Sequence, residues 1–315
     1  DLETRLTPLL LDMKTNGVRV DLVKAEQAKK ELITLEKKLL DEIASETKVA
    51  LEPWVATSVA KVFDAMGLAY SRTEKSGAPA FTKQFLANHS HPIAKKIIKI
   101  REVNKANTTF IDTILEHSHK GRIHCDFHPL RSDGGGTVTG RFSYSNPNLQ
   151  QIPARNKDLG PMIRKLFLPE QGCKWGCFDY SQQEPRLVVH YAASTVPMCN
   201  DNSVVEIVKK FNEGNVDFHQ TVADMANISR TQAKTINLGL FYGMGKAKLQ
   251  AELGLGTKEE AEDLFNQYHE SVPFVKELMN STQNYASKSG SIGTLLGRRC
   301  RFNKWEPKAF GMHKP

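Results

Sequence analysis

The sequence predicts an α+β fold, and three patterns support this class. Apolar residues recur at helical spacing over residues 2–14 and again over most of residues 204–285. Between these regions, residues 122–128 and 175–179 have the composition of short strands. The chain has 315 residues, which is enough for two or three subdomains. We therefore expect helical regions on both sides of a middle region that contains strands.

The N-terminal region is expected to begin with a helix, a short strand and a long helix. Asn16 and Gly17 end the first helix, and residues 18–20 follow as a strand-like run. Asp21 is a suitable N-cap, because its carboxylate can accept a hydrogen bond from the first turn of the long helix. The apolar face of that helix is expected to contain Leu32, Leu35, Leu39 and Ile43.

Residues 71–80 have the composition of a loop, and a further helix is expected over residues 92–116. The polar side of this further helix carries five cations: Lys95, Lys96, Lys99, Arg101 and Lys105. They are either a solvated helix face or a contact surface for a polyanion. The net charge of +8 favours a polyanionic partner without proving one.

Composition places the chain among globular proteins outside the membrane. Hydrophobic residues make up 40% of the sequence, and no apolar run approaches the roughly 18 residues that span a bilayer. The N-terminus lacks a signal-peptide pattern. The five cysteines lack the spacing of a zinc site, so we expect reduced thiols and a cytoplasmic location. They are Cys125, Cys173, Cys177, Cys199 and Cys300.

Residues 133–153 form a long segment rich in glycine and proline. This composition is expected to exclude regular structure, and the segment is long for a loop without a function. It is therefore a candidate binding segment.

The most informative residues of the chain recur every four positions: Arg230, Lys234, Leu238 and Tyr242. This spacing places them on one face of an α-helix. Two cations lie at one end of that face, and an aromatic ring followed by Gly243 lies at the other. The pattern indicates a surface that binds a polyphosphate and a flat base together.

Asp179 is expected at the end of the strand over residues 175–179, where its carboxylate would project from a rigid position. Transfer of a nucleotidyl group is served by two divalent cations bridged by hard oxygen ligands such as aspartate. A turn or capping aspartate is the ordinary alternative. Ser181 and Glu184 also fit a capping box for the next helix, with Pro185 in its first turn.

Five segments together resemble the motifs of family A DNA polymerases, the DNA polymerase I group. In the order of the chain they are residues 139–141 with 147–153, 179–186, 217–223, 230–243 and 294–299. The similarity extends over the whole chain and is weakest before about residue 90. It implies a right-hand fold with an antiparallel palm sheet and a helical thumb and fingers. The implied regions are thumb 1–120, first part of the palm 121–200, fingers 201–285 and a return to the palm 286–315.

The resemblance implies roles in the binding of a deoxynucleoside triphosphate (dNTP). Arg230 and His219 would contact its outer phosphates, and Lys234 would act beside the α-phosphate and as a general acid. Glu184 would pack against the sugar and exclude a 2′-hydroxyl. The remaining dNTP contacts would come from Gln182, Leu238 and Tyr242.

The resemblance also implies metal and DNA ligands. Asp179 would bind two Mg²⁺ ions, with Mn²⁺ as a possible substitute, and the Tyr180 carbonyl would bind one of them. Arg141, Asn148 and Gln150 would contact the minor groove at the primer terminus. The other expected DNA contacts are Tyr242 and Gly243 near the templating base, Arg298 on the template strand, and Lys105 on the DNA backbone.

Leu238 departs from the family pattern, which commonly has Phe or Tyr there, and Gln183 and Pro185 depart from the usual Ile and Leu. A larger departure is that the 315 residues contain no His-Asp dipeptide. The family requires a second catalytic aspartate in a His-Asp-Glu motif. We therefore expect a middle piece of a polymerase, inactive or nearly so by itself, that is completed by a second polypeptide or a further C-terminal segment.

Two alternatives remain open from the sequence. One is a single-subunit RNA polymerase, against which Glu184 argues because its side chain would clash with a ribose 2′-hydroxyl. The other is a non-catalytic DNA-binding subunit or a degenerate remnant, against which the joint presence of Asp179, Arg230, Lys234 and Tyr242 argues. The expected location is the cytoplasm of a bacterial or phage-infected cell.

Overall fold

A computed structural model describes residues 2–130, 135–154, 156–195, 202–214, 217–225 and 227–302 of the chain. The chain divides between Gly176 and Cys177 into two compact units. Helices predominate in both, and the sheets are small and antiparallel, which confirms the predicted α+β class. The finer division into thumb, palm and fingers, with its boundaries, stays a prediction.

The N-terminal unit contains seven α-helices among its described residues: α1 Leu2–Asn16, α2 Leu22–Thr47, α3 Ala56–Ala65, α4 Lys83–Asn88, α5 Pro92–Lys105, α6 Asp112–Glu116 and α7 Leu159–Arg164. A π-helical turn, Ala106–Ile111, joins α5 to α6, and a 3₁₀ turn occupies Leu149–Gln151. Its strands are β1 Val18–Val20, β2 Ser71–Arg72, β3 Pro79–Ala80, β4 Ser118–His119, β5 Arg122–Ile123, β6 Asp126–His128, β7 Ser143–Ser145 and β8 Phe167–Leu168.

A four-stranded antiparallel sheet with the order β4-β5-β1-β8 lies in the N-terminal unit. The entry into β1 requires glycine, because Gly17 has φ +59° and an added Cβ would lie 2.5 Å from the Ile123 carbonyl oxygen. Asp21 then caps α2 as predicted, accepting a hydrogen bond from the Lys24 amide at 3.0 Å. The backbone signals at this junction therefore set the order helix, strand, helix.

Two hydrophobic clusters form the core of the N-terminal unit. Leu32 of α2 lies in the first cluster, with residues from β1, β5, α6 and α7. Ile43 lies in the second, with residues from α3, α4 and α5 around the buried ring of Phe63. Since α2 contributes to both clusters, its apolar face connects the two parts of the core. Leu35 and Leu39, which were predicted for the same face, are partly buried against these clusters.

Short strands correct three of the predictions for the N-terminal unit. Residues 71–80 contain the pair β2 and β3 in place of a plain loop. The strand expected over 122–128 is divided between two sheets, because β5 pairs with β1 and β4 while β6 pairs with β7. The segment 133–153 therefore contains regular structure, since β6 supplies a partner for Ser143–Ser145.

The C-terminal unit has seven α-helices among its described residues: α8 Gln183–Thr195, α9 Asn202–Asn212, α10 Phe218–Met225, α11 Arg230–Phe241, α12 Lys246–Leu253, α13 Lys258–Ser271 and α14 Pro273–Ser289. A hairpin of β9 Ser291–Gly293 and β10 Arg299–Arg301 follows them. One hydrophobic cluster contains buried residues from all seven helices, such as Phe218, Tyr268 and Phe274, and two more from the turns between them. The predicted helical character of residues 204–285 is confirmed.

The strand predicted over residues 175–179 is not formed, and this prediction is wrong. Phe178 is 97% exposed, and Trp175, Asp179 and Tyr180 are exposed as well. A strand needs a hydrogen-bonded partner for its backbone. No strand among the described residues pairs with this segment, so its apolar residues do not form a buried strand.

Some predictions concern residues outside the described part of the chain. These are the start of the glycine-rich segment at 133–134, Cys199, and the last part of the expected return to the palm at 303–315. Within the described part, no helix has both the length and the apolar character required to cross a membrane.

Candidate functional site

Helix α11 is the element that positions the four-residue repeat, as predicted. Ser229 and Gln232 form a capping box that fixes its start at Arg230. The buried face of α11 contains Ala233, Ile236, Asn237 and Leu240. The opposite side exposes Arg230 and Lys234, with Leu238 half-buried and Tyr242 exposed at the C-cap. One helix face therefore presents two cations and an aromatic ring to solvent.

Gly243 follows directly after the exposed ring. Its φ of +73° lies in the left-handed region, and an added Cβ would meet no atom within 4 Å. Glycine is therefore favoured at this position by backbone conformation rather than by packing.

Asp217 connects the start of α10 to the start of α11. One carboxylate oxygen accepts hydrogen bonds from the amides of His219 and Gln220, at 3.1 and 3.2 Å. The other oxygen accepts from Nε of Arg230 at 2.6 Å. Burial would raise the pKa of the Asp217 carboxyl, but the hydrogen bonds from Arg230 and the backbone outweigh it and hold the pKa below its usual value. The ionised Asp217 carboxylate therefore positions the Arg230 guanidinium.

His219 is 7% exposed and lies on α10 beside the cations of α11. Its Nδ1 is 3.0 Å from Nδ2 of Asn237, and Oδ1 of Asn237 accepts a hydrogen bond from the Tyr268 hydroxyl at 2.8 Å. Burial lowers the pKa of His219; the charges of Arg230 and Lys234 lower it further, and Asp217 opposes them. His219 is therefore a neutral imidazole at neutral pH.

Asn237 and Tyr268 were missed by sequence reasoning. The available signal was Asn237 itself, an amide in the otherwise apolar stripe of α11. A buried amide requires hydrogen-bond partners, so this position was a signal for a buried polar network that sequence reasoning did not use. The partners could not be predicted, because they lie 18 and 31 residues away in sequence.

Glu184 and Tyr242 meet directly. The Tyr242 hydroxyl donates a hydrogen bond to Oε1 of Glu184 over 2.5 Å, which connects the start of α8 to the end of α11. The predicted capping box of Ser181 and Glu184 is wrong, because α8 begins at Gln183 and its first backbone hydrogen bond is accepted by Gln182, so Gln182 and not Ser181 is at the N-cap. The Gln182 side-chain oxygen instead accepts from the Phe218 amide at 2.7 Å, so Gln182 links α8 to α10.

Asp179 and Tyr180 lie exposed in the irregular segment that precedes α8. Within the described residues, no hydrogen bond or ion pair occupies the Asp179 carboxylate. Across the same part of the chain, no group of three or more His, Cys, Asp or Glu side chains is arranged to hold a metal ion. The available donors are one carboxylate and a neighbouring carbonyl, and such hard oxygens suit Mg²⁺, which commonly takes one or two carboxylates together with substrate phosphates.

The C-terminal unit therefore brings together five of the predicted nucleotide ligands through hydrogen bonds or mutual charge: Gln182, Glu184, His219, Arg230 and Tyr242. Lys234 lies close enough to His219 for its charge to lower the pKa of the imidazole. Leu238 is on the same helix face and half-buried.

The predicted primer contacts lie in the N-terminal unit, after β7 or just before it. Asn148 caps the 3₁₀ turn by accepting from the Gln150 amide at 3.1 Å. The Gln150 side chain donates to the Phe142 carbonyl at 3.1 Å, and Arg141 is exposed. Asn148 and Gln150 thus make local structural contacts in this structure, whereas the predicted contacts with DNA stay predictions.

Arg298 is half-buried in the turn between β9 and β10. Its amide donates to the Thr294 hydroxyl at 3.2 Å, and its carbonyl accepts from the Thr294 amide at 2.8 Å. The backbone of this turn is therefore fixed, and the predicted contact of Arg298 with the template strand stays a prediction.

Three of the five cations predicted on the polar side of α5 are used within the unit. Lys96 pairs with Glu42 and Glu46, and Lys99 pairs with Asp158 at 2.8 Å. The Arg101 guanidinium donates to the carbonyls of Pro53 and Phe81, at 2.7 and 2.9 Å, and lies over the Trp54 ring.

Three of the five cations therefore already satisfy acceptors within the unit, and a polyanion-binding surface formed by all five stays a prediction. Lys95 and Lys105 are exposed. Lys105 consequently keeps its place as a predicted contact for a DNA backbone.

Residues 23–314 of the chain match the model of a protein family described as DNA polymerase family A. The chain belongs to DNA polymerase family A. A DNA-directed DNA polymerase of Pseudomonas phage M6 is 35% identical to this family A chain, with 96% of the chain and 53% of that protein covered. The thermostable DNA polymerase I of Thermus thermophilus is 32% identical, with 95% of the chain and 36% of that protein covered.

A solved structure of the same kind is also similar to this family A chain. It is the POL domain of Pol1 from M. smegmatis in complex with DNA primer-template and dNTP, with a TM-score of 0.77 and 26% identity. The match covers 95% of this chain and 52% of that one. The chain thus spans about half the length, or less, of the relatives it matches.

Proposed function

We propose that this family A chain takes part in template-directed DNA synthesis, in which a deoxynucleotide is transferred from a dNTP to a primer 3′-hydroxyl. The observation that carries the proposal is the cluster formed by α8, α10 and α11. Arg230, Lys234 and His219 offer cationic and N–H groups beside one another, and Tyr242 and Glu184 are hydrogen-bonded at the far end of α11. Along α11, the cations, then Glu184, then the Tyr242 ring follow the order of phosphates, sugar and base in a nucleotide.

The proposed roles follow from the chemistry of each group. Arg230, held at its Nε by Asp217, keeps its two terminal nitrogens for the outer phosphates. Lys234 provides a point charge beside the α-phosphate and a proton for the departing pyrophosphate. Neutral His219 donates an N–H to a phosphate oxygen. Leu238 contributes an apolar contact from the same face.

At the other end of α11, the proposed contacts concern the sugar and the base. Glu184, oriented by the Tyr242 hydroxyl, would stand where a 2′-hydroxyl would otherwise lie, which favours deoxynucleotides. The Tyr242 ring would stack near the templating base, with Gly243 allowing close approach. Gln182 supports this end by joining α8 to α10.

The proposed metal ligands are the Asp179 carboxylate, for two Mg²⁺ ions, and the Tyr180 carbonyl, for one of them. Mn²⁺ suits the same oxygen donors. Such ions, when bound, activate the attacking hydroxyl and neutralise charge on the triphosphate. Since the 315 residues contain no His-Asp dipeptide, the proposal requires a second carboxylate from another stretch of polypeptide. We accordingly propose that residues 1–315 alone extend a primer poorly or not at all.

Primer–template DNA is the proposed partner of the N-terminal unit and of the β9–β10 turn. The proposed contacts are Arg141, Asn148, Gln150, Lys105 and Arg298. Phage proteins among the relatives support a location in the cytoplasm of a bacterial or phage-infected cell.

Nucleotide binding by residues 1–315 tests the proposal directly. We expect magnesium–dNTP to bind, and Arg230→Gln or Lys234→Gln to weaken binding about ten- to hundredfold, as for the loss of a hydrogen bond between charged groups. Lys248→Gln is the matched control, because Lys248 is an exposed lysine on the neighbouring helix α12. Unchanged affinity in both site variants would contradict the proposed nucleotide site.

Primer extension tests the chemistry separately. The chain is assayed alone and together with a polypeptide that carries a His-Asp-Glu motif from a phage relative. We expect extension with the added polypeptide only, and its loss in Asp179→Ala. Extension that survives Asp179→Ala would refute the catalytic role and favour a DNA-binding subunit. Equal incorporation of ribo- and deoxynucleotides would refute the role of Glu184.

A further inference from the structure

Two buried side chains, Asn237 and Tyr268, lie on the interior side of His219 and are not accessible to a nucleotide. Asn237 and Tyr268 are both 0% exposed, so neither can contact a ligand directly. Their chain of hydrogen bonds ends at Nδ1 of His219. They can therefore act on a ligand only through the imidazole.

The Tyr268 hydroxyl fixes the donor-to-acceptor direction of these hydrogen bonds. Among the described residues, the Asn237 amide is the single hydrogen-bond partner of this hydroxyl. If the amide were turned round, its nitrogen would donate to the hydroxyl oxygen, and the buried hydroxyl proton would have no acceptor. Such an orphaned donor is costly. The hydroxyl therefore donates to Oδ1 of Asn237, and Nδ2 of Asn237 faces the imidazole as a donor.

A donor at Nδ2 requires an acceptor at Nδ1 of His219. The proton of the neutral imidazole must then sit on Nε2. No described residue bonds this nitrogen, and it does not belong to the buried, unpartnered side-chain atoms of the described residues, so it reaches solvent. The charged groups that influence the imidazole are Asp217, Arg230 and Lys234, which places it in the cluster proposed to bind phosphates.

We propose that Asn237 and Tyr268 are positioning residues that hold His219 as the Nε2–H tautomer, so that it presents an N–H donor to a nucleotide phosphate. The alternative Nδ1–H tautomer would present a lone pair to the phosphate oxygens and repel them. The inference rests on the proposed function, since it specifies how His219 meets the triphosphate. Protonation of both nitrogens is disfavoured, because an Nδ1–H would face the Asn237 N–H.

The tautomer is measured by ¹⁵N NMR on the imidazole of His219 in residues 1–315. The sequence has ten histidines, so the His219 signals are assigned by their loss in His219→Gln. We expect a protonated Nε2 and an unprotonated Nδ1 at neutral pH. Asn237→Asp replaces the donor with an acceptor and should protonate Nδ1. Wild-type protein with a protonated Nδ1 would overturn the inference.

Tyr268→Phe removes one hydroxyl and keeps the ring. The two orientations of Asn237 then become nearly equivalent, so about half of the His219 population should change to Nδ1–H. Affinity for magnesium–dATP should fall about twofold, since the competent fraction is halved. Tyr285→Phe is the matched control, because Tyr285 is an exposed tyrosine of the same unit and should change neither quantity. Amide spectra confirm that each variant is folded. A Tyr268→Phe variant with the wild-type tautomer would also overturn the inference.

Titration with magnesium–dATP separates this inference from the proposed function. If the nucleotide binds and shifts the His219 Nε2 signal, the positioning role is supported. If the nucleotide binds and leaves Nε2 unchanged, the nucleotide site stands and the positioning role is wrong. If the folded protein binds no nucleotide, the proposed function fails, and the phosphate-directed role fails with it.

Discussion

The hydrogen bond between Tyr242 and Glu184 can be measured by a double-mutant cycle of Tyr242→Phe and Glu184→Ala. The Tyr242 hydroxyl donates over 2.5 Å to a carboxylate, and a bond to a charged group contributes about 1.5–3 kcal/mol when it is shielded from water. Tyr242 is 67% exposed, however, so solvent reduces this contribution. We expect a coupling free energy of about 1 kcal/mol, which corresponds to about a fivefold change in an equilibrium constant.

The assay is hydrogen exchange of the α8 and α11 backbone amides, which reports the free energy of local opening of these helices. Each single variant removes other contacts as well, and the cycle cancels them. A second cycle of Glu184→Ala with Tyr285→Phe is the control and should show no coupling. A coupling of about 0.2 kcal/mol or less for Tyr242 with Glu184 would refute the idea that this bond joins the two helices. In an active assembly, Tyr242→Phe should also reduce discrimination against ribonucleotides by up to about fivefold, in line with the same coupling.

Three further changes have defined outcomes. Leu238→Tyr should alter the ratio of dideoxy- to deoxynucleotide incorporation in an active assembly, and an unchanged ratio would exclude a role for position 238. Burial lowers the pKa of His219, so the contribution of its neutral imidazole to the stability of the C-terminal unit should be fully present above the unfolded-state pKa of about 6.5 and be lost as pH falls through the lower folded-state pKa. Urea unfolding of His219→Gln should show a flatter dependence on pH, and an equal slope would argue against a neutral buried imidazole. Arg101→Met should lower the free energy of unfolding of the N-terminal unit by about 3 kcal/mol, because two carbonyls lose a charged donor, whereas Lys95→Met on the same helix should be neutral.

Local patterns in the sequence determined the helices and the residues on the exposed face of α11. The Asp21 cap, the repeat from Arg230 to Tyr242 and the helical spacing of residues 204–285 were all correctly predicted. These features depend on side-chain periodicity and on hydrogen bonds within a single turn, which are properties of neighbouring residues. The motifs that resemble family A polymerases were likewise sufficient for the family.

Tertiary structure decided which polar groups are paired. The strand predicted before Asp179 is absent, because a strand depends on a partner that its own sequence does not specify. The sequence around Glu184 fitted a capping box as well as a ligand role. In the structure, Glu184 accepts a hydrogen bond from the Tyr242 hydroxyl, which lies 58 residues away in sequence.

Charge on α5 shows the same limit of sequence patterns. Lys99, Arg101 and the exposed Lys105 are cations of the same helix, and a carboxylate and two carbonyls from other elements decided that Lys99 and Arg101 have partners within the unit. The sequence by itself determined the family, the helices and the helix face that carries Arg230 and Lys234, since these follow from motifs and local spacing. Only the tertiary structure decided the partners of Arg230, Glu184 and His219, because those partners lie 13, 58 and 18 residues away in sequence and are brought close by packing.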